Sequence, residues 1–174
     1  PSERAELGRA RERVSWLAGT YATAVYETLP RGVIHGDYNA ANLLFRPSGK
    51  VVGVFDYDWA WHEVRVRDLA DGILFFAARR QGVLDGGDIW SLTACPELDI
   101  DQIVGFLCCY SRQRPLTNAE CDCIGLAVLA RWAACRTEGV MKVPEPRRAE
   151  FVRAGFFRPF EWYDRHGSTL REAL

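Results

Sequence analysis

An α+β fold, mainly α, is predicted for this 174-residue chain by three features of its sequence. Most of the chain repeats apolar residues at helical spacing. Two short apolar runs, Leu43-Leu44-Phe45 and Val51-Val52-Gly53-Val54-Phe55, flank the turn-forming Pro47-Ser48-Gly49-Lys50 and read as a small hairpin of strands. Apolar residues at 48% against 26% charged are the balance of a packed domain, here a single one over residues 1–174, and exclude disorder as the dominant state.

The elements follow in order. Residues 3–28 put Leu7, Ala10, Val14, Leu17, Tyr21 and Ala24 on one stripe, predicting a helix that Pro30 and Gly32 end. Val33-Ile34 starts a short extended segment that stops at His35-Gly36-Asp37, and the hairpin comes next. Residues 68–80 are apolar on nearly every side, predicting a core helix, and residues 82–87 read as a loop. Residues 99–112 predict a helix with Ile100, Ile103, Val104 and Leu107 on one face. Thr117-x-x-Glu120 has the form of a capping box and opens a helix that Gly139 can close. Pro144 and Pro146 break the chain, and a last helical region from Arg147 is interrupted near Pro159.

With 22 basic and 23 acidic residues the net charge is −1, which gives no footprint for nucleic acid or an anionic membrane. No apolar run approaches the roughly 18 residues of a membrane span. The charged start PSERAELGRARERV does not resemble a leader, so a cytoplasmic location is expected. The six cysteines contain no CxxC pair and are expected to be buried free thiols.

Chemistry concentrates between Val33 and Ala70. His35, Asp37 and Asn42 occupy the loop between two apolar extended segments, and Asp56 ends the run VVGVF. Strand ends and the loops after them are where rigid scaffolds present reactive groups. Two carboxylates and an amide so placed suit a hard cation: Mg²⁺ takes oxygen ligands, few of them from protein, with water and phosphate completing the shell. Phosphoryl transfer needs such ligands and one further carboxylate near the acceptor hydroxyl.

These residues match a known pattern. His35-Gly36-Asp37, then Asn42, a strand ended by Asp56 and the run Arg67-Asp68-Leu69-Ala70 resemble the aminoglycoside phosphotransferase and choline kinase superfamily. That group is a small-molecule branch of the protein-kinase-like fold. The resemblance implies a C-terminal lobe of that fold, whose small β-hairpin carries the catalytic and metal-binding loops. It implies Asp37 as the catalytic carboxylate, Asn42 and Asp56 as Mg²⁺ ligands on ATP, and His35 and Asp68 as supports of the loop. Asp37, Asn42 and Asp56 are expected to converge on one cleft. The sequence departs from the pattern at Asn39, where many relatives have His, and at Asp56-Tyr57-Asp58-Trp59, where Asp-Trp or Asp-Phe-Gly is commoner. Asp58 is either a further metal ligand or a solvated loop carboxylate. Asp58, Glu63, Trp59 and Trp61 suit a cationic acceptor, with packing the other reading of the tryptophans.

An N-terminal lobe with a glycine-rich loop and a strand lysine is expected to be absent from this chain. Only Lys50, in a turn, and Lys142, near Pro144, are lysines, and no phosphate-loop motif occurs. The expected function is ATP-dependent phosphoryl transfer to a hydroxyl of an aminoglycoside, choline, homoserine or sugar-like acceptor. The chain would then be a fragment that lacks the N-terminal lobe of its own polypeptide, binds Mg·ATP weakly or not at all and is inactive alone. Two alternatives stand beside it: a non-catalytic kinase-like lobe that binds a ligand or partner, and a metal-dependent glycosyltransferase using Asp56-x-Asp58.

Overall fold

The helix over Asn118–Gly139 runs through the middle of the helical body and packs against the helices around it. The computed structural model describes residues 2–21, 23–80, 82, 85 and 87–174, with the side chains of residues 23 and 24 outside the description. The Ala24 side chain, and residues 83, 84 and 86 of the loop expected over 82–87, therefore lie outside the description. The chain order is α1 (Glu3–Thr20), α2 (Thr23–Glu27), β1 (Arg31–Ile34), β2 (Leu43–Phe45), β3 (Val51–Val54), β4 (Trp61–Val64), α3 (Val66–Gly72), α4 (Ile89–Leu92), α5 (Ile100–Ser111), α6 (Asn118–Gly139), α7 (Arg148–Arg153) and α8 (Arg158–Glu172). The described residues are thus mainly helical, as the sequence predicts, and carry two small sheets. Among them no helix is long and apolar enough to cross a membrane.

The Thr117 hydroxyl accepts from the Glu120 backbone while the Glu120 carboxylate takes the Thr117 N–H, so α6 opens on the predicted capping box. Its middle is buried nearly all round, with Ile124, Leu129 and Trp132 each about 1% exposed. Buried Glu120 takes a two-pronged bond from Arg65, Nε to Oε1 and Nη2 to Oε2, which ties the end of β4 to the start of α6. Gly139 does not close the helix in a left-handed cap. The chain runs on into a 3₁₀ turn, and Gly139 gives Phe151 room, since a Cβ there would stand 2.9 Å from its ring.

Several expectations are corrected by packing. The helix expected over 3–28 is broken at Tyr21, which leaves helical geometry and stacks edge-on with Tyr26 at 5.8 Å. Of its predicted stripe, Ala10 and Leu17 are buried, but Leu7 and Val14 are exposed. The helix expected over 68–80 is α3 followed by a π-helical turn over Ile73–Ala77 that ends at Ala78. Pro159 lies in the first turn of α8, where its missing N–H costs nothing, and the break falls before it at Gly155. Cys108 and Cys109 are exposed and Cys123 alone is fully buried, so only part of the thiol set behaves as core.

The strands form two antiparallel pairs. The predicted hairpin is β2–β3, with Leu43 opposite Val54 and an irregularity between Leu44 and Phe45. The second pair was not expected: β1 pairs β4, with Gly32 opposite Glu63 and Ile34 opposite Trp61. Trp59 and Trp61 are 67% and 69% exposed, so neither is a packing residue in this chain.

Candidate active site

The loop after β1 is shaped by one carboxylate. Asp68, in the first turn of α3, accepts the backbone N–H of His35 on Oδ2 (2.6 Å) and that of Gly36 on Oδ1 (2.9 Å). Pairing of β1 with β4 brings this turn against the Trp59 backbone. Gly36 has φ +80°, and a Cβ on it would lie 2.2 Å from the Trp59 carbonyl oxygen, so only glycine fits.

The His35 ring joins the loop to the end of the hairpin. Its Nε2 donates to the Phe55 carbonyl at 2.7 Å, and its Nδ1 accepts the Asp37 N–H at 3.4 Å, which assigns the tautomer with the proton on Nε2. The Phe55 N–H in turn donates to the Asn42 carbonyl at 2.9 Å. The Asn42 side-chain Nδ2 donates to the Asp37 carbonyl (2.9 Å) and to Asp37 Oδ2 (3.1 Å). Asn39, at the position where the resembled superfamily often has His, caps the Ala41 N–H and donates to the Asp37 carbonyl, a structural clamp. A continuous circuit thus runs from Asp68 through His35, Phe55 and Asn42 to Asp37.

Asp56 follows Phe55 with φ 58° and ψ 66°, the one non-glycine at positive φ among the described residues. Such a conformation costs about 1–2 kcal/mol for a residue with a Cβ and persists where surrounding bonds over-determine it. Here the two backbone bonds of Phe55 supply that constraint.

A cavity of about 510 Å³ opens beside the loop, lined by Asp37, Asn42, Trp59, Phe75 and, from the helical side, Arg67, Arg131, Glu138 and Lys142. Arg131 Nη2 stands 3.6 Å from Asp37 Oδ1, and its Nε donates to Asp71 Oδ1 at 2.5 Å. Asp71 is fully buried, and this desolvation pushes its carboxyl up to about 6 against the pull of Arg131.

The structure therefore brings His35, Asp37, Asn42 and Asp68 into one bonded group. Asp56 is tethered beside it through Phe55, yet its exposed side chain is not part of the cavity lining. Asp58 is exposed in the turn that follows. Trp59 lines the cavity, but Glu63 does not: it pairs with Arg31 and accepts the Val64 N–H. Asp71, Arg131 and Glu138 are absent from the sequence reading. A signal for the first two exists, since each is a charge set inside an apolar helical run.

The sequence profile of the phosphotransferase enzyme family matches residues 1–98. An uncharacterized protein of Deinococcus radiodurans is 32% identical over 84% of this chain and 40% of its own length. A homoserine kinase of Caulobacter sp. strain K31 is 32% identical over 62% of this chain and 29% of its own length. A homoserine kinase of Methylobacillus flagellatus is 34% identical over 53% and 24% respectively. The chain spans well under half the length of these relatives. With more than half of its residues matched, including the whole Asp37–Asn42–Asp68 loop, the chain belongs to the phosphotransferase enzyme family.

Proposed function

We propose that this chain is the catalytic and acceptor-binding lobe of a cytoplasmic, ATP-dependent small-molecule kinase with a protein-kinase-like C-terminal lobe. The observation that carries the reading is the Asp37–Asn42 pair, in which an amide fixes a carboxylate at the wall of a cavity sized for a small acceptor. In this reading Asp37 orients the acceptor hydroxyl and takes its proton as the phosphoryl group is transferred. His35 and Asp68 hold the loop so that Asp37 does not have to be ordered when the acceptor arrives.

The donor set fits a hard cation. Asn42 spends its side-chain Nδ2 on Asp37, which leaves its side-chain Oδ1 for a metal, and Asp56 offers an exposed carboxylate next to Phe55. Among the described residues no three His, Cys, Asp or Glu side chains gather to hold an ion, so Asn42 and Asp56 would rely on phosphate and water for the remaining ligands. Mg²⁺ bound there supplies charge neutralisation on the ATP phosphates.

Two further observations support the reading. The strands leave apolar side chains open, among them Val33 (83% exposed), Trp61 (69%) and Leu44 (51%), surface suited to cover by a nucleotide-binding lobe of the same polypeptide. The cavity mixes acidic Asp37 and Glu138 with basic Arg67 and Lys142. That mixture favours an acceptor bearing both charges, such as homoserine, over choline, a sugar or a polycationic aminoglycoside.

The test is transfer of labelled γ-phosphate from Mg·ATP by the full-length protein, with each of these four acceptors in turn. Acceptor-dependent label in the homoserine reaction is expected. No transfer to any hydroxyl, under conditions where the protein is folded, would overturn the kinase reading.

A further inference from the structure

Helix α6 sends one side chain to the loop from outside it. Arg131 is 10% exposed and meets three carboxylates: Nε donates to Asp71 Oδ1, Nη1 reaches Glu138 Oε2 at 3.5 Å, and Nη2 stands 3.6 Å from Asp37 Oδ1. The other Asp37 oxygen, Oδ2, is taken by Asn42. Asp37 is therefore held from two sides, by a neighbour five residues away and by a helix that begins some eighty residues later.

The geometry of a guanidinium makes this arrangement directional. Its donors lie in one plane at fixed angles, so anchoring Nε fixes where Nη2 points. The anchor is itself enclosed, since Asp71 sits at 0% accessibility on α3, which packs against α6. Glu138, at 69% side-chain exposure, is too free to serve as that anchor. The surface partner can move; the buried one sets the aim.

Resting on the kinase reading, we propose that Arg131, aimed by Asp71, is a positioning residue that holds the Asp37 carboxylate in one rotamer toward the acceptor hydroxyl. A lysine at 131 keeps the charge but is a point donor on a flexible stem, and it cannot serve Asp71 and Asp37 together. Asparagine at 71 keeps an acceptor for Nε, removes the charge and puts an amide NH2 where the unpartnered Oδ2 stands. The competing account is a buried ion pair that merely fastens α3 to α6, whose loss lowers stability and nothing else.

The experiment compares wild type, Arg131→Lys and Asp71→Asn in the full-length protein by steady-state kinetics per folded molecule, thermal melting and crystal structures. Misplacement of a catalytic group by about 1 Å can cost about 10²-fold, so kcat of Arg131→Lys should fall by that order with the nucleotide KM unchanged. Asp71→Asn should show a smaller loss of the same kind. In both crystals the Asp37 side chain should occupy a second rotamer while the Asp68 bonds to His35 and Gly36 persist. Unchanged kcat with a lowered melting temperature, or an unmoved Asp37 in the variant crystals, overturns the proposal. If Arg131→Lys does not fold, Asp71→Asn decides by the same readouts. A wild type inactive on every acceptor fails the kinase reading, and the Asp37 rotamer in the crystals still decides whether Arg131 aims it.

Discussion

The helical body and the strand-bearing segment are built on opposite terms. In the body, apolar side chains are inside: Phe160, Leu107 and Val66 have no exposed surface, and Arg136, buried there without a carboxylate, donates from Nη1 to the Thr93 hydroxyl and carbonyl and from Nη2 to the Phe151 carbonyl. In the segment from β1 to β4, Ile34, Leu43 and Val64 are buried but most other apolar side chains are exposed, and the loops are ordered by hydrogen bonds between backbone and polar side chains. Packing builds the platform and polar bonds build the site. Hydrophobicity alone does not say which of the two a residue serves.

The contrast predicts where mutations will act. The largest effect should be Asp37→Asn in the full-length protein. General-base contributions are typically about 10²- to 10⁴-fold, so turnover should drop by that order while nucleotide affinity and melting temperature hold. A large fall in melting temperature would show that the loop depends on Asp37 for its fold, and would break the division just drawn. In the body, Phe160→Ala should cost about 3–5 kcal/mol by denaturant unfolding, because a large buried ring leaves a cavity. Arg136→Met should cost less, about 1–3 kcal/mol, by leaving buried carbonyl acceptors without their donor.

A finer effect is set by pH. Asp71 has a folded pKa of about 6, above its ordinary carboxylate value of 3.8, so between those values the folded chain holds a proton that the unfolded chain has lost. Stability contributed by that proton is present below about pH 4 and is lost as pH rises through about 6. Melting of wild type against Asp71→Asn across this range should show the wild type losing ground up to pH 6 and then running parallel. The smallest effect is expected at Val33→Ala, within about 0.5 kcal/mol in this chain because the side chain is 83% exposed. A clearly larger cost in the full-length protein would sharpen the comparison by showing that this open surface is covered there.

Much of this was legible in the sequence, for identifiable reasons. α5, α6 and the β2–β3 hairpin follow from periodicity, a capping box and a turn, all local signals. The loop residues stood out as polar groups at the ends of apolar runs. β4 did not, because Trp61-His62-Glu63-Val64 is too short and too charged to alternate, and its strand state depends on a partner some thirty residues away. Tyr21 breaks the first helix for a contact with Tyr26 that no periodicity encodes. Arg131 and Asp71 were missed because their meaning lies in their pairing across 60 residues, although each was visible as a charge among apolar neighbours.

The hydrogen-bonded circuit has a consequence for how such a protein changes over time. Every member of it lies between His35 and Asp68, so this short cassette carries its own internal wiring. The far wall of the cavity, by contrast, comes from scattered helical positions such as Ile89, Leu92, Glu138 and Lys142, none of which bonds to the circuit. Those positions are free to diversify while the cassette is inherited intact. A lineage of this architecture should therefore acquire new acceptors by substitutions on the helical wall, and a laboratory library aimed at changing specificity should be placed there, leaving residues 35–68 untouched.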